Sequence, residues 1–141
     1  LHSWNGAMDD FSVPDSNGKK SSDILFHQGT IRSGESFSGS KDILLFGDVN
    51  PGASIMAGRN IYVWGRLRGV AHAGKSGDRK SIIVALELRP LQIRIANEIA
   101  RGPEEKPELG LAEEARLDRG QIIISPASPT SQRAFNNVGI G

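Results

Sequence analysis

Apolar and polar side chains alternate in short stretches between residues 23 and 90, and glycine, aspartate or asparagine interrupts them every few positions. A period of two is typical of strands that bury one face, and the interrupting residues are those that tight turns favour. The pattern predicts many short strands. Residues 90–101 fit both periods, because Ile93 and Ile95 alternate as in a strand whereas 95, 96, 99 and 100 fit a helix. There we expect a strand followed by a helical turn.

The end of the patterned region predicts a second kind of element. Residues 103–110 contain two prolines and read as a loop. After it, EARLD, an Arg-Gly turn and QIIIS (114–125) predict a final pair of strands.

The strand pattern repeats with a period of 18 residues. Residues 34–51 align with 52–68, and a third copy begins at Gly69. The third copy is longer by three residues at its strand, which the polar insert KSGDRKS (75–81) explains. The equivalent pairs are Gly34 and Gly52, Ser36 and Ser54, Phe37 and Ile55, Asp42 and Asn60, Ile43 and Ile61, Gly47 and Gly65, and Val49 and Leu67.

This period predicts an all-β fold, a short triangular parallel β-helix of about three to four rungs. A rung of three sides with ~6 residues each stacks on the next rung at the strand spacing of ~4.8 Å. Corners need tight turns, which accounts for the glycines at equivalent positions. The alternative is a meandering antiparallel sheet whose glycines coincide by chance.

Alternation within each rung divides the strand residues between the core and the outside. The outward residues of one side are apolar, which is unusual for a solvated face of this size. We expect a homodimer through this face, or a cover provided by residues 90–125. The predicted inward stacks are Ile43, Ile61 and Ile82; Leu45, Val63 and Val84; and Val49, Leu67 and Leu88. The predicted dimer interface is Leu44, Phe46, Tyr62, Trp64, Ile83 and Ala85.

A polar corner opens the repeat. Arg32 and Ser33 precede Gly34, and the 18-residue register places Asn50, Pro51 and Gly52 beside them. An arginine at the end of a sheet can simply protect an open edge, and it can equally make a protein contact. The residue types leave both roles open.

The composition narrows the class of protein. Lys plus Arg is 17 and Asp plus Glu is 16, so charge gives no reason to expect nucleic acid or a direct membrane contact. The absence of cysteine excludes disulfides and thiolate metal sites. The longest apolar run is 82–86, far short of the ~18 residues that span a bilayer. The polar, aperiodic residues 1–22 and 126–141 read as flexible tails around a domain at 23–125.

No residue pattern indicates catalysis, a metal or a cofactor. Residues 69–76 match the phosphate-loop pattern G-x-x-x-x-G-K-S, but a β-rich run follows them where that loop requires a helix. His2, His27 and His72 show no common spacing, and no pair of acids stands out as a catalytic couple. An enzyme acting on carbohydrate is therefore disfavoured, also because three rungs offer little groove.

Four segments resemble one protein family in order and with matching gaps, from Asp23 to Ser125. The segments are TIRSGESF (30–37), GDVNPGASIMAGRNIYVWGRLRGVAHAG (47–74), SGDRKSIIVALELRPLQIRIAN (76–97) and EARLDRGQIIISP (114–126). They look like the C-terminal domain of the septum-site-determining protein MinC. The resemblance implies a right-handed triangular β-helix that dimerises through one face.

The resemblance also implies partners and a role. Such a domain binds the membrane-associated ATPase MinD, and full-length family members antagonise assembly of the tubulin-like protein FtsZ away from mid-cell. Because the chain begins with Leu1, we expect a fragment in which residues 1–22 lead from an absent inhibitory domain. The expected protein is a non-enzymatic cytoplasmic adaptor that MinD recruits to the inner membrane face, or its counterpart in a plastid stroma. The alternative is a structural β-helix that polymerises into bactofilin-like filaments.

The family's MinD-binding motif reads R-S-G-Q, and Arg32, Ser33 and Gly34 match it. Glu35 departs from it, because a carboxylate lacks the donors of the amide. The resemblance thus implies that the polar corner is the MinD-binding site, with residues 50–52 as neighbours.

Overall fold

The computed structural model describes residues 24–101 and 112–127. All the regular structure in these residues is β, in two sheets with the strand orders β1-β3-β5-β7-β10-β11 and β2-β4-β6-β8-β9. The strands are β1 (Ile24–Gln28), β2 (Ser36–Gly39), β3 (Asp42–Phe46), β4 (Ser54–Ala57), β5 (Ile61–Leu67), β6 (Val70–Ala73), β7 (Ile83–Leu88), β8 (Gln92–Ile95), β9 (Glu98–Arg101), β10 (Glu113–Asp118) and β11 (Gln121–Pro126).

The strands wind into a parallel β-helix of about four turns, as the repeat predicts. β1, β3, β5 and β7 pair in parallel on one side, and β2, β4, β6 and β8 pair in parallel on a second. Parallel bridges from Ile31 to Val49 and from Val49 to Leu67 form the third side. The parallel pairing rules out the antiparallel meander.

The 18-residue register holds through the first full rungs. Ser36 pairs with Ser54, Phe37 with Ile55 and Ile43 with Ile61. The remaining equivalent positions also stack, and at the glycine corners the backbones themselves are in contact. A Cβ on Gly65 would collide with the carbonyl oxygen of Gly47, and a Cβ on Gly47 would collide with that of Gly29, so each of these positions must lack a side chain for the rungs to stack.

The register changes in the third rung, and the predicted faces of β7 are wrong by one residue. Ile61 pairs with Ile83, a step of 22 (83 − 61), whereas Leu67 pairs with Leu88, a step of 21 (88 − 67). The insert therefore adds four residues, and a β-bulge between Val63 and Arg66 removes one again. A constant step along β7 leaves out the bulge. The prediction therefore exchanged the inward and outward residues in the first half of the strand.

The inward residues of β7 are consequently Ile83 and Ala85, both fully buried in the main core with Ile61 and Val63. Ile82 and Val84, predicted to point inward, belong instead to the outer cluster on this side. Leu88 points inward as predicted.

The C-terminal end carries antiparallel strands. β9 pairs with β8 through a turn in which Ala96 has φ +52°, so the helical turn predicted after the strand within residues 90–101 is wrong. Apolar residues at helical spacing here come from two strands of a hairpin. The predicted final strand pair is confirmed: β10 and β11 join at Arg119 and Gly120, and β10 adds to β7.

The predicted domain limits fall only partly within the described residues. Residues 1–22, the whole loop at 103–110 and residues 128–141 lie outside them. Pro126 ends β11, and the N–H of Ala127 donates to the carbonyl oxygen of Ala112 at 2.9 Å. These two residues therefore belong to the folded unit rather than to a tail that begins at 126.

Candidate functional site

Two tight turns stack at the corner between the second and third sides. In the first, the N–H of Glu35 donates to the carbonyl oxygen of Arg32 at 2.8 Å, and Gly34 has φ +87°. In the second, the N–H of Ala53 donates to the carbonyl oxygen of Asn50 at 2.9 Å, and Gly52 has φ +88°. A positive φ at the third residue is the signature of a type II turn and favours glycine there.

Backbone hydrogen bonds hold the two turns in register. The N–H of Gly34 donates to the carbonyl oxygen of Gly52 at 3.0 Å, and the N–H of Asn50 donates to Ile31 at 2.9 Å. The Ser33 hydroxyl lies where a Cβ on Gly52 would stand. We call residues 32–35 and 50–53 the double-turn corner.

The double-turn corner brings together all seven residues that the sequence predicted for a binding site. Arg32, Ser33, Gly34, Glu35, Pro51 and Gly52 are exposed, and Asn50 is half-buried. Their proximity is therefore confirmed, while their binding role stays a prediction.

Glu35 has a structural task within its own turn. Its Oε1 accepts a hydrogen bond from the N–H of Arg32 at 2.7 Å. The side chain of the last residue of the turn thus binds the backbone of the first. A glutamine carbonyl oxygen could accept the same bond, so the departure from R-S-G-Q keeps the acceptor. What changes is the exposed negative charge that the carboxylate adds to the corner.

The sequence reasoning missed Arg68 at this corner. Its Nη2 donates to Oδ1 of Asn50 at 2.7 Å, and its N–H donates to the carbonyl oxygen of Val49 at 2.8 Å. The signal was present, because Arg68 follows Asn50 by one repeat of 18 residues. Applying the repeat to polar positions as well as to apolar ones would have found it.

The second surface is the outer face of the first side. Leu44, Tyr62 and Val84 form a cluster there that is already buried, with Ala127 beside it. Burial, followed by the charge of Asp42, raises the pKa of Tyr62 to about 12. The partly buried residues packed against this cluster are Ile24, Phe26, Phe46, Ile82 and Ala112.

Next to this cluster lies a column of larger residues that are exposed or half-buried. Trp64 is 40% exposed and Leu86, opposite the bulge, is 37% exposed. Phe46 is half-buried and stacks on Phe26 with ring centroids 5.9 Å apart. We call the outward residues of this side the apolar wall; they are Leu44, Phe46, Tyr62, Trp64, Ile82, Val84 and Leu86.

The apolar wall corrects part of the predicted dimer interface. Leu44, Phe46, Tyr62 and Trp64 lie on it, but Ile83 and Ala85 are in the core for the reason given above. A covering from within the chain was also expected, and Ala112, which precedes β10, does pack on the wall.

The remaining candidate chemistry does not converge. His27 contacts the ring of Phe37, whereas His72 lies on the second sheet with Nε2 3.1 Å from the carbonyl oxygen of Ala96. His2 lies outside the described residues. Across 24–101 and 112–127, no three His, Asp or Glu side chains are grouped to hold a metal ion.

The phosphate-loop match at residues 69–76 contains strand β6, and a turn and β7 follow it. The hydroxyl of Ser76 donates to the carbonyl oxygen of Gly58 at 2.9 Å, which makes it a corner residue. Within the described part of the chain, no helix is long and apolar enough to cross a membrane.

The chain is similar to proteins of known type. The profile of the family described as "Septum formation inhibitor MinC, C-terminal domain" matches residues 25–127. A probable septum site-determining protein MinC of Prochlorococcus marinus is 58% identical over 115 residues, covering 82% of this chain and 52% of that protein. Another, from Clostridium acetobutylicum, is 46% identical over 104 residues, covering 74% of this chain and 49% of that protein. The chain thus spans about half the length of these curated relatives.

One solved structure is similar over most of the fold. A chain of the "MinC:MinD cell division protein complex, Aquifex aeolicus" superimposes with a TM-score of 0.70 at 34% identity. The match covers 85% of this chain and 99% of that one.

Proposed function

The chain belongs to the MinC C-terminal domain family, and from that membership we propose that it acts in choosing the site of cell division. In this role it is a homodimeric adaptor that binds the membrane ATPase MinD and helps to block FtsZ ring assembly away from mid-cell. Its work is binding rather than catalysis. It acts at the cytoplasmic face of the membrane, which it reaches through MinD.

The double-turn corner is the proposed MinD-binding site. The observation that carries this assignment is that Arg32, Ser33 and Glu35 are exposed on a turn fixed by a second turn one rung away. A preorganised turn loses little conformational entropy on binding. Little of the free energy gained by its donors and charges is therefore offset by the cost of ordering the turn. The similarity to a chain from a MinC:MinD complex supports the same partner.

The apolar wall is the proposed dimer interface, centred on the column of Phe46, Trp64 and Leu86. A two-fold axis through a flat side would bring the column of one protomer against that of its partner. Tryptophan is enriched among the few residues that contribute most of the binding energy in such contacts. A dimer also presents two double-turn corners, so membrane-bound MinD molecules would hold it with the avidity of two linked sites.

The domain organisation is part of the proposal. Residues 23–127 form the adaptor, and residues 1–22 connect it to an inhibitory domain in the full-length protein.

The filament-forming alternative is less well supported. Polymers of β-helices need both ends of the helix open for stacking. Here β9 and the β10–β11 pair extend the two sheets with antiparallel strands at the C-terminal end, which ends the parallel register that a further rung would continue.

Co-sedimentation with MinD on anionic vesicles, with and without ATP, tests the proposed function. Wild type should sediment only with MinD and ATP, and Arg32→Ala should abolish sedimentation while the protein stays folded and dimeric. Arg79→Ala is the control, because it removes another exposed arginine from a different corner. Failure of the folded wild-type dimer to sediment would reject the assignment.

A further inference from the structure

A column of four polar residues follows the double-turn corner along the axis of the β-helix. The N–H of Asn50 donates to the carbonyl oxygen of Ile31, that of Arg68 to Val49 and that of Arg89 to Leu67, at 2.9, 2.8 and 3.0 Å. Each residue therefore occupies the same place one rung further on. At ~4.8 Å per rung the column extends roughly 14 Å. We call Arg32, Asn50, Arg68 and Arg89 the arginine column.

The column has an internal order. Arg68 donates from Nη2 to Oδ1 of Asn50 at 2.7 Å, which fixes the orientation of the Asn50 amide. The Nε of Arg68 is buried without a hydrogen-bond partner, so its side chain is fixed by packing along its stem. Arg32 and Arg89 are exposed.

In residues 24–101 and 112–127, no acidic side chain forms an ion pair with Arg32, Arg68 or Arg89. The corner that carries the insert behaves differently. There Arg59 lies 3.9 Å from Asp78, and Arg79 lies 3.6 Å from Glu98.

A row of guanidinium groups that form no ion pair within the described residues has a defined chemical complement. Guanidinium groups only donate, and they bind carboxylates best in the two-pronged geometry. The carboxylate of Glu35 accepts a bond from the backbone N–H of Arg32 and adds one negative charge at that end, so the three arginines leave the column with a net positive charge. A matching surface would therefore offer acceptors and negative charge along the whole column.

We propose that the binding site for MinD extends from the double-turn corner along Asn50 and Arg68 to Arg89, and that its counterpart on MinD is an acidic surface of similar length. This inference rests on the proposed function and deepens it. Arg89 contacts the acidic surface, while Arg68 both contacts it and positions Asn50. Neither residue is part of the motif that identified the corner.

The test is the affinity of the dimer for the source organism's MinD in its ATP-bound state, measured at several salt concentrations. Arg68→Gln keeps the stem of the side chain and removes its charge. Arg89→Ala removes the outermost member, and Arg79→Ala is the control. We expect each column variant to weaken binding about tenfold and to make it less dependent on salt, as loss of a charged contact does. Arg79→Ala should bind as wild type does.

Asn50→Asp separates the electrostatic role from a structural one. Aspartate keeps the acceptor for Arg68 and strengthens that bond, so a purely structural role would leave binding intact. Our inference predicts that binding is lost, because the new carboxylate neutralises the column and faces an acidic surface. Thermal unfolding of each variant shows whether the fold is retained.

The outcomes distinguish the inference from the function on which it rests. Wild-type affinity of Arg68→Gln and Arg89→Ala, with Arg32→Ala inactive, would confine the site to the double-turn corner and overturn the inference alone. Undiminished binding by Asn50→Asp would overturn the acidic counterpart. Failure of wild type to bind MinD would remove the proposed function as well.

Discussion

The double-turn corner and the apolar wall are built by different means on one repeat. The corner depends on backbone conformation: Gly34 and Gly52 have nearly the same positive φ, and hydrogen bonds tie the two turns together. The wall depends on side-chain parity along β3, β5 and β7, and a single bulge changes which residues of β7 face outward.

The difference shows how strongly each surface is specified. A turn that requires glycine at one position cannot shift by a residue without strain, so its residues keep their places. A strand can absorb one residue in a bulge and still bury apolar groups on both faces, because β7 is apolar on both. The conformation of the turns themselves therefore determines which residues the corner presents. Which residues the wall presents depends instead on how the strands pair with one another.

The largest expected effect separates the two faces of β7. Ile83→Asp would bury an unpaired charge among Ile61 and its core neighbours and should cost roughly 3–5 kcal/mol or more of unfolding free energy. Leu86→Asp, at a position 37% exposed, should retain the fold and weaken the dimer. Chemical denaturation and light scattering measure both. Equal stability of the two variants would contradict the shifted register.

A smaller effect compares two glycines in equivalent turns. Gly34→Ala places a Cβ in open space and should lose only about 1 kcal/mol for its positive φ. Gly52→Ala meets the same conformational penalty and also displaces Ser33, so we expect about 1–3 kcal/mol together with weaker MinD binding. Thermal unfolding decides between them. A Gly34 variant as damaged as the Gly52 variant would show that the turns are not stacked as described.

The wall also has a pH signature. The pKa of Tyr62 is about 12 in the fold and near 10 in the unfolded chain. The contribution of neutral Tyr62 to the free energy of unfolding is therefore fully present below pH 10 and is lost as the pH rises toward 12. At pH 11 the loss is about 1 kcal/mol. Tyr62→Phe should remove this part of the alkaline loss when unfolding is compared at pH 8 and pH 11. An unchanged loss in the variant would assign it to other groups.

The smallest effect lies in the corner. Glu35→Gln keeps the acceptor for the N–H of Arg32 and should leave stability within about 0.5 kcal/mol, whereas Glu35→Ala should cost about 0.5–1.5 kcal/mol. Urea denaturation of the three proteins tests this order. If Glu35→Gln were as unstable as Glu35→Ala, the charge and not the acceptor would hold the turn.

The sequence predicted the β-helix and the corner because both rest on positions that repeat without interruption. Gly34 and Gly52 stack as their spacing implies, and Ile43 and Ile61 pair as their alternation implies. The outward residues of β7 could not be predicted, because two apolar runs of opposite parity fit IIVALEL equally well. The sequence predicted a helical turn where β8 and β9 form a hairpin. The turn at Ala96 is so tight that apolar residues of the two strands are spaced along the chain as they would be in a helix.

The central claim is that partner binding and dimerisation use separate surfaces of one β-helix. The most direct test is light scattering of wild type, Arg32→Ala and Trp64→Asp, each alone and with ATP-bound MinD in solution. We expect Arg32→Ala to remain a dimer that does not bind MinD, and Trp64→Asp to be a monomer that binds one MinD. A Trp64→Asp protein that stays dimeric, or an Arg32→Ala protein that becomes monomeric, would contradict this separation.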